Sequence, residues 1–216
     1  MNVLVVAPHP DDETIGCGGT IALLSAEGYR VVVAFLTSGE RGLPEMAPDR
    51  ARALREAEAE KAAATLGVAD VVFLRQPDSQ LALVAATAAA VLRRTVDDER
   101  PRRIYVPHSG EWHEDHAIAA SIVSAAIEPE WREEIELLAY EVWTPLARPD
   151  EIEDISPVMD QKLTALRCYP SQLERFSYDD GVAGLNRYRG VFYGGCRFAE
   201  AFVWVSSSET SSTIKS

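Results

Sequence analysis

Short, unbroken apolar runs alternate along the chain with longer segments whose apolar residues recur at helical spacing. The runs at residues 3–7 (VLVVA) and 30–36 (RVVVAFL) show no alternation of polar and apolar positions. This pattern is typical of strands that are buried on both faces of a parallel sheet. Strands are predicted at residues 3–7, 30–36, 71–74, 104–107, 135–143 and 201–205, and helices at residues 15–28, 49–66, 81–94, 117–127 and 158–168.

Repeated strand–helix units of this length predict an α/β fold, a Rossmann-like three-layer sandwich with a mainly parallel sheet. The length of 216 residues suits one domain, and no internal repeat or linker divides the chain. We expect this domain to span residues 1–205. The polar, low-complexity residues 206–216 are expected to be a disordered tail.

Composition and charge exclude several classes of protein. No stretch approaches the roughly 18 apolar residues of a membrane-spanning helix, and we expect no signal peptide at the start. The net charge of −13 argues against a nucleic-acid partner. Cys17, Cys168 and Cys196 form no CxxC pair, which favours a reduced, cytoplasmic chain. The sequence leaves the oligomeric state open, a homo-oligomer included.

The four histidines are distributed unevenly. His9 directly follows the first predicted strand, whereas His108, His113 and His116 follow the fourth. Because the carboxyl ends of parallel strands meet at one edge of a sheet, where ligands bind, both groups can face the same site. Packing alone does not readily explain this clustering.

Two of these histidines and a neighbouring aspartate suit a catalytic metal centre. Zinc in such centres binds His nitrogen and carboxylate oxygen, with a position left for water. Pro10 makes the segment from His9 to Asp12 a tight turn, and His116 lies where the next helix begins. We therefore expect His9, Asp12 and His116 to bind zinc, although the same ligands also accept Fe²⁺, cobalt or nickel. Asp11, which is adjacent to a ligand, would then be the base that removes a proton from the attacking water.

Each residue also has a simpler interpretation on its own. Asp11, Asp12 and Glu13 suit the first turn of a helix, where the helix dipole favours acids. His116 alone could be a surface residue of a helix. The joint arrangement favours the metal site.

Two motifs and several weaker ones resemble a known family. PHPDDE (8–13) and HEDH (113–116) are similar to the paired metal motifs of the LmbE-like (PIG-L) N-deacetylases. The weaker similarities are TSGERG (37–42), LREAEAEKAAATLGV (54–68), LRQPDSQL (74–81), KLTALRCYPSQ (162–172) and AEAF (199–202). The resemblance implies a zinc-dependent hydrolase that removes the acetyl or another acyl group from an N-acetylglucosamine-type sugar conjugate, a small-molecule substrate.

The resemblance also implies roles for single residues. It implies His9, Asp12 and His116 as zinc ligands and Asp11 as the base, in agreement with the roles expected from spacing. His113 would face the developing oxyanion, and Asp115 would orient His113. Arg55 and Asp78 match positions that hold sugar hydroxyls; on their own they suggest an ion pair with Glu58 and a helix N-cap, respectively.

The sequence departs from the family pattern at two positions. Some relatives have a tyrosine where Glu111 stands, and Ser79 occupies a position where glycine is usual. His108 matches no motif and suggests a loop or rim residue. Trp112 suits either sugar stacking or packing.

Three other functions share some of these sequence features. A dinucleotide-binding oxidoreductase needs its glycines directly after the strand, whereas here HPDDE precedes residues 16–19 (GCGG). A non-catalytic metal-binding regulatory protein would use the same ligands. An amidase acting on a thiol–sugar conjugate would use the same fold and chemistry.

Overall fold

The buried apolar runs form the centre of a seven-stranded sheet in the computed structural model, which describes residues 1–205. The strands are β1 (Asn2–Ala7), β2 (Arg30–Thr37), β3 (Asp70–Gln76), β4 (Arg103–Pro107), β5 (Glu136–Tyr140), β6 (Glu151–Asp154) and β7 (Ala199–Trp204). Their order is β3-β2-β1-β4-β5-β7-β6. The first five are parallel, whereas β7 runs antiparallel to β5 and β6. The prediction of a mainly parallel α/β sheet is confirmed.

Helices cover both faces of this sheet. They are α1 (Asp12–Ala26), α2 (Pro48–Leu66), α3 (Ala85–Glu99), α4 (Glu114–Ala126), α5 (Met159–Leu166), α6 (Pro170–Leu173) and α7 (Tyr178–Arg189). Val3 and Val5 of β1 join the core that α1, α2 and α5 cover, whereas Leu4 and Val6 join the core under α3 and α4. This division explains why β1 is apolar at every position.

The helix predicted at residues 158–168 and the strand predicted at 201–205 correspond to α5 and β7, whereas β6, α6 and α7 are not predicted from the sequence. β6 is not predicted because three of its four residues, EIED, are charged, and within residues 1–205 it pairs only with β7, as an edge strand. The predicted strand 135–143 ends at Tyr140, and the following residues form a loop at the sheet edge. The predicted tail, residues 206–216, lies outside the described residues. Within residues 1–205, no helix is long and apolar enough to cross a membrane.

The backbone hydrogen bonds of α1 are interrupted at Cys17, and two distant residues supply the missing partners. Cys17 has non-helical backbone angles. In a continuous helix the Gly19 N–H would donate to the Ile15 carbonyl. Here the N–H groups of Gly19 and Thr20 donate to Glu200, each at 2.8 Å, and Lys162 Nζ donates to the Ile15 carbonyl at 2.8 Å. Lys162 and Glu200 belong to the KLTALRCYPSQ and AEAF similarities, so both motifs contribute to holding α1.

The glycines of α1 allow close packing against the sheet. A Cβ atom on Gly16 would lie 2.1 Å from Tyr140 Cδ2 and 2.7 Å from the Glu141 carbonyl oxygen. Gly16 therefore allows the helix to pack closely against β5, a role unrelated to a dinucleotide phosphate. The structure agrees with the exclusion of the dinucleotide-binding interpretation.

Replacing Gly16 by alanine is expected to lower the free energy of unfolding by about 1–3 kcal/mol, because the added methyl group would clash with the Tyr140 ring and the Glu141 carbonyl oxygen. Gly184→Ala is the matched control, since nothing lies within 4 Å of its added Cβ in α7; we expect a gain of about 0.5–1 kcal/mol there. Urea unfolding measures both. Equal stability of the two variants would contradict the packing role of Gly16.

Candidate active site

The loops that follow the carboxyl ends of the parallel strands surround a cavity of about 440 Å³. The predicted metal and catalytic residues lie at this edge of the sheet, as expected for an open α/β fold. The principal lining residues are His9, Asp11, Asp12, Arg41, Arg55, Asp78, Ser79, Trp112, His113, His116, Trp143, Gln172, Phe176 and Tyr178. A larger cavity of about 900 Å³ borders α4 and β7, and its described lining includes none of the predicted ligands.

Three ligand atoms meet at the centre of this cavity. His9 Nδ1, Asp12 Oδ2 and His116 Nε2 lie 3.2 Å from one another in every pairing. Two ligands bonded to tetrahedral zinc at 2.0–2.1 Å are separated by about 3.3 Å. The residues present therefore fit a metal ion of this kind. All three side chains are buried.

The electrostatics of this group favour an ionised carboxylate. Burial opposes the charge on Asp12, but the adjacent His116 and His9 outweigh it and hold the pKa of Asp12 well below its usual range. His116 is also buried, and its contacts with Asp12 raise its pKa to about 9. Protons and a cation compete for the same ring nitrogens, so metal binding is coupled to proton release.

Two further carboxylates contact the other nitrogen of the His9 ring. His9 Nε2 lies 3.2 Å from Asp78 Oδ1 and 3.3 Å from Asp115 Oδ2. Such outer contacts fix the tautomer and the orientation of a metal-binding histidine. Burial disfavours the charge on Asp78, yet the nearby His9 lowers the pKa of Asp78 to about 2.

The side chain of Asp115 is directed differently from the sequence prediction. Its carboxylate accepts hydrogen bonds from the Ser79 N–H at 2.7 Å and the Leu81 N–H at 3.0 Å, and it contacts His9. Only the backbone N–H of Asp115 bonds to the His113 ring. The prediction that the Asp115 side chain orients His113 is therefore corrected. The Asp115 carboxylate instead contacts His9 and accepts hydrogen bonds from the loop after β3.

A second group of potential ligands shares His9. Ligand atoms of His9, His113 and Asp115 lie within 4.8 Å of one another. Both oxygens of Asp115 already accept backbone hydrogen bonds. The group of His9, Asp12 and His116 is tighter and is therefore the better candidate for a metal site.

Asp11 lies beside the ligand group in a strained conformation. Its φ of 115° is in the region that favours glycine, which indicates that the surroundings enforce it. Its carboxylate lies 3.2 Å from Arg55 Nη2. Burial raises the pKa of Asp11 to about 7, since the loss of hydration outweighs the attraction to Arg55. A carboxylate with a pKa near neutrality suits a general base.

Arg55 is almost fully buried, at 4% exposure. It donates to the carbonyl oxygens of Pro10 and Gly39 and pairs with Asp11. The alternative ion pair with Glu58 does not form, because Glu58 accepts hydrogen bonds from Ser171. A Cβ on Gly39 would meet the Arg55 guanidinium at 2.5 Å. The TSGERG loop therefore needs this glycine to accommodate Arg55.

Asp78 is a loop residue, and the alternative helix N-cap is wrong because Gln80 occupies the N-cap position of the short 3₁₀ helix Leu81–Val84 that precedes α3. Its carboxylate accepts from the Arg41 N–H at 2.6 Å and from Ser79 Oγ at 3.2 Å. Ser79 has a φ of 60°, in the left-handed region. This backbone conformation explains why glycine suits the position in relatives.

His113 caps the N-terminus of α4 and lines the cavity. Its Nδ1 accepts the Asp115 N–H at 3.3 Å. Burial and the neighbouring His9 and His116 lower the pKa of His113. A neutral ring that accepts at Nδ1 carries its proton on Nε2, which makes Nε2 a hydrogen-bond donor.

Glu111 has a role that the sequence did not predict. Its carboxylate accepts hydrogen bonds from the N–H groups of Val142, Trp143 and Thr144, at 2.7–3.2 Å. Glu111 Oε2 also lies 3.9 Å from His116 Nδ1. Glu111 thus joins the loop after β5 to His116, a residue of the candidate metal site. No sequence spacing indicates this, because the partners are backbone groups about 30 residues away.

Replacing Glu111 by alanine is expected to weaken metal binding by about 10–100-fold, as for other residues that orient metal ligands. Glu111→Gln should retain more affinity because its amide oxygen can still accept the loop N–H groups. Competition with a chromophoric chelator measures the affinity. The exposed Glu114, in the same segment, supplies the control variant Glu114→Ala. Equal affinity of Glu111→Ala and Glu114→Ala would contradict this role.

His108 and Trp112 both lie in the loop between β4 and α4. His108 Nε2 lies 2.7 Å from the Thr144 carbonyl oxygen, and His108 Nδ1 accepts the Gly110 N–H. These contacts agree with a loop residue. Trp112 is 71% exposed at the cavity mouth, with its ring 5.7 Å from that of His113. Trp112 is therefore not a core-packing residue.

Comparisons with known proteins agree with this geometry. Residues 4–127 match the family described as PIG-L: GlcNAc-PI de-N-acetylase. The chain is 32% identical over 195 residues to a Bacillus cereus protein named probable N-acetyl-alpha-D-glucosaminyl L-malate deacetylase 2, across 82% of this chain and 86% of that protein. It is 31% identical over 222 residues to the diacetylchitobiose deacetylase of Thermococcus kodakarensis, across 94% of this chain and 82% of that protein.

A solved structure shows the same fold. The N,N′-diacetylchitobiose deacetylase of Pyrococcus horikoshii, complexed with its inhibitor MPG, matches with a TM-score of 0.78 and 26% identity. The match covers 94% of this chain and 83% of that one.

Proposed function

Because the chain belongs to the PIG-L family of GlcNAc-PI de-N-acetylases, we propose that it is a metal-dependent N-deacetylase of an N-acetylglucosamine-type sugar conjugate. The relatives named above are deacetylases of such compounds. The observation that carries the proposal is the convergence of His9, Asp12 and His116, at 3.2 Å from one another, beside Asp11.

We propose zinc as the metal, held by His9 Nδ1, Asp12 Oδ2 and His116 Nε2. The mixture of two imidazoles and one carboxylate is a common catalytic zinc set, and Fe²⁺ is the alternative. When bound, such an ion polarises an acyl carbonyl and lowers the pKa of a coordinated water to about 7.

Asp11 is the proposed general base. It accepts the proton of the attacking water and can return that proton to the amine that leaves. Arg55, at 3.2 Å, keeps the carboxylate in place. The pKa of about 7 allows Asp11 to take up and release a proton near neutral pH.

His113 is the proposed partner of the oxyanion that develops on the acyl carbonyl. With Nδ1 accepting the Asp115 N–H, Nε2 is the donor of the ring. A fixed donor of this kind typically accounts for a rate factor of about 10²–10³. Glu111 occupies the position of the tyrosine found in some relatives, and its carboxylate is engaged by backbone N–H groups. It therefore does not replace a tyrosine hydroxyl at the oxyanion.

Arg55 and Asp78 both line the cavity and are proposed to hold sugar hydroxyls. Both side chains also contact the catalytic group, Arg55 through Asp11 and Asp78 through His9. Residues 1–205 are proposed to form the single catalytic domain. The three cysteines are free thiols, which suits the proposed cytoplasmic location.

A substrate panel tests this function. Purified, metal-loaded protein is incubated with N-acetylglucosamine, N,N′-diacetylchitobiose, N-acetylglucosaminyl malate and a thiol–sugar conjugate, and free amine and carboxylic acid are quantified together. We expect equal amounts of amine and acetate from at least one conjugate, and no product after chelation. Release of an acyl group only from a thiol–sugar conjugate would favour the amidase. Absence of all products would leave the non-catalytic metal-binding protein.

A further inference from the structure

The backbone of Asp11 must be held in place by its neighbours. Asp11 adopts a φ of 115° and a ψ of −30° just before α1 begins. A residue that has a Cβ atom rarely adopts these backbone angles unless surrounding contacts stabilise them. The Asp11 carbonyl accepts the first N–H groups of the helix, from Thr14 and Ile15. Those bonds leave the Asp11 N–H and carboxylate to be fixed by other groups.

Arg55 fixes the carboxylate, and Glu13 fixes the amide. The Asp11 N–H donates to Glu13 Oε2 at 3.1 Å. Glu13 is 2% exposed and lacks a salt bridge to a cation within the described part of the chain. It is thus not the solvated first-turn acid that a helix dipole alone would explain. The buried side chains of Arg55 and Glu13 thus hold the carboxylate and the N–H group of Asp11, respectively.

Tyr169 connects Glu13 to a distant segment. The Tyr169 hydroxyl donates to Glu13 Oε1 at 2.6 Å, and Thr14 Oγ1 donates to the same oxygen at 2.5 Å. Tyr169 is completely buried, and its carbonyl accepts the N–H groups of Gln172 and Leu173 at the start of α6. The orientation of the Glu13 carboxylate is therefore set by a tyrosine that is buried in the core.

We propose that Glu13 and Tyr169 are positioning residues for Asp11. Tyr169 orients the carboxylate of Glu13, and Glu13 holds the Asp11 amide so that the Asp11 side chain faces the metal-binding group. This inference rests on the proposed role of Asp11 as general base. It gives the last residue of PHPDDE and the tyrosine of KLTALRCYPSQ a shared function.

Steady-state kinetics at full metal loading test the proposal. Glu13→Ala is expected to lower kcat by about 100-fold, the effect of displacing a catalytic group by about 1 Å. The affinity for zinc, measured by chelator competition, and KM should stay unchanged. Glu13→Gln should recover most of kcat, because its amide oxygen can still accept the Asp11 N–H. Tyr169→Phe retains the ring and should lower kcat less than Glu13→Ala, which provides a second test if Glu13→Ala does not fold.

Glu58→Ala is the matched control. Glu58 is equally buried, at 2% exposure, and binds Ser171 in the same segment as Tyr169, but it does not contact Asp11. A merely structural role of Glu13 predicts that Glu13→Ala and Glu58→Ala both lose stability and both keep kcat per bound metal. That result, or loss of zinc by Tyr169→Phe, would overturn the proposal. If the unsubstituted protein released no amine, the proposed function would fail instead.

Discussion

Replacing Asp11 by asparagine is expected to lower kcat by about 10²–10⁴-fold, the usual contribution of a general base, while the protein still binds its metal. Asparagine has nearly the shape of aspartate and can still accept a hydrogen bond from Arg55, but it does not accept a proton at neutral pH. The three ligand atoms, which belong to His9, Asp12 and His116, are unchanged. The measurement combines kcat for amine release with the zinc content of the same sample.

His116→Ala is the contrasting variant for this prediction. It removes one of the three ligands, so we expect both zinc and activity to be lost. If Asp11→Asn retained full kcat, Asp11 would not be the base. If Asp11→Asn lost zinc to the same extent as His116→Ala, Asp11 would belong to the ligand group.

Replacing Lys162 by methionine is expected to lower the free energy of unfolding by about 3–5 kcal/mol, as for other buried ion pairs that lose one partner. Lys162 and Glu200 are both completely buried, and their charged atoms lie 2.6 Å apart. The substitution leaves the Glu200 charge without a cation, and it also removes the donor to the Ile15 carbonyl in the break of α1. Chemical denaturation with urea measures the loss.

A double-mutant cycle separates the ion pair from simple packing. Lys162→Met combined with Glu200→Gln removes both charges, so we expect the double variant to be more stable than Lys162→Met alone. Lys61→Met, at an exposed position of α2, should change stability by no more than about 0.5 kcal/mol. A similar stability of Lys162→Met and Lys61→Met would show that the buried pair does not support α1.

The first strands, and the convergence of the three proposed metal ligands, could be predicted because their signals are local. β1 and β2 are apolar at nearly every position, which both faces of a covered sheet require. The spacing of His9 and Asp12 and the position of His116 after β4 place the three residues at one edge of a parallel sheet. The general rule for ligand sites in such sheets then brings them together.

The supporting contacts could not be predicted because they join distant segments. Glu111 meets backbone N–H groups of the loop after β5, and Asp115 meets those of the loop after β3. The sequence shows which side chains are present, but it does not show which backbone groups face them. The edge strand β6 is not predicted for a related reason: among residues 1–205 it pairs only with β7, and its charged residues are more typical of a loop.

The central claim is that one metal ion, held by His9, Asp12 and His116, is required for hydrolysis of an N-acetyl sugar. Titration of chelator-treated protein with zinc, with amine release from the best substrate as the readout, tests it most directly. We expect the rate to rise in proportion to added zinc and to level off at one ion per chain, with His116→Ala remaining at background throughout. Amine release at the full rate by zinc-free protein, or restored activity in His116→Ala, would contradict the claim.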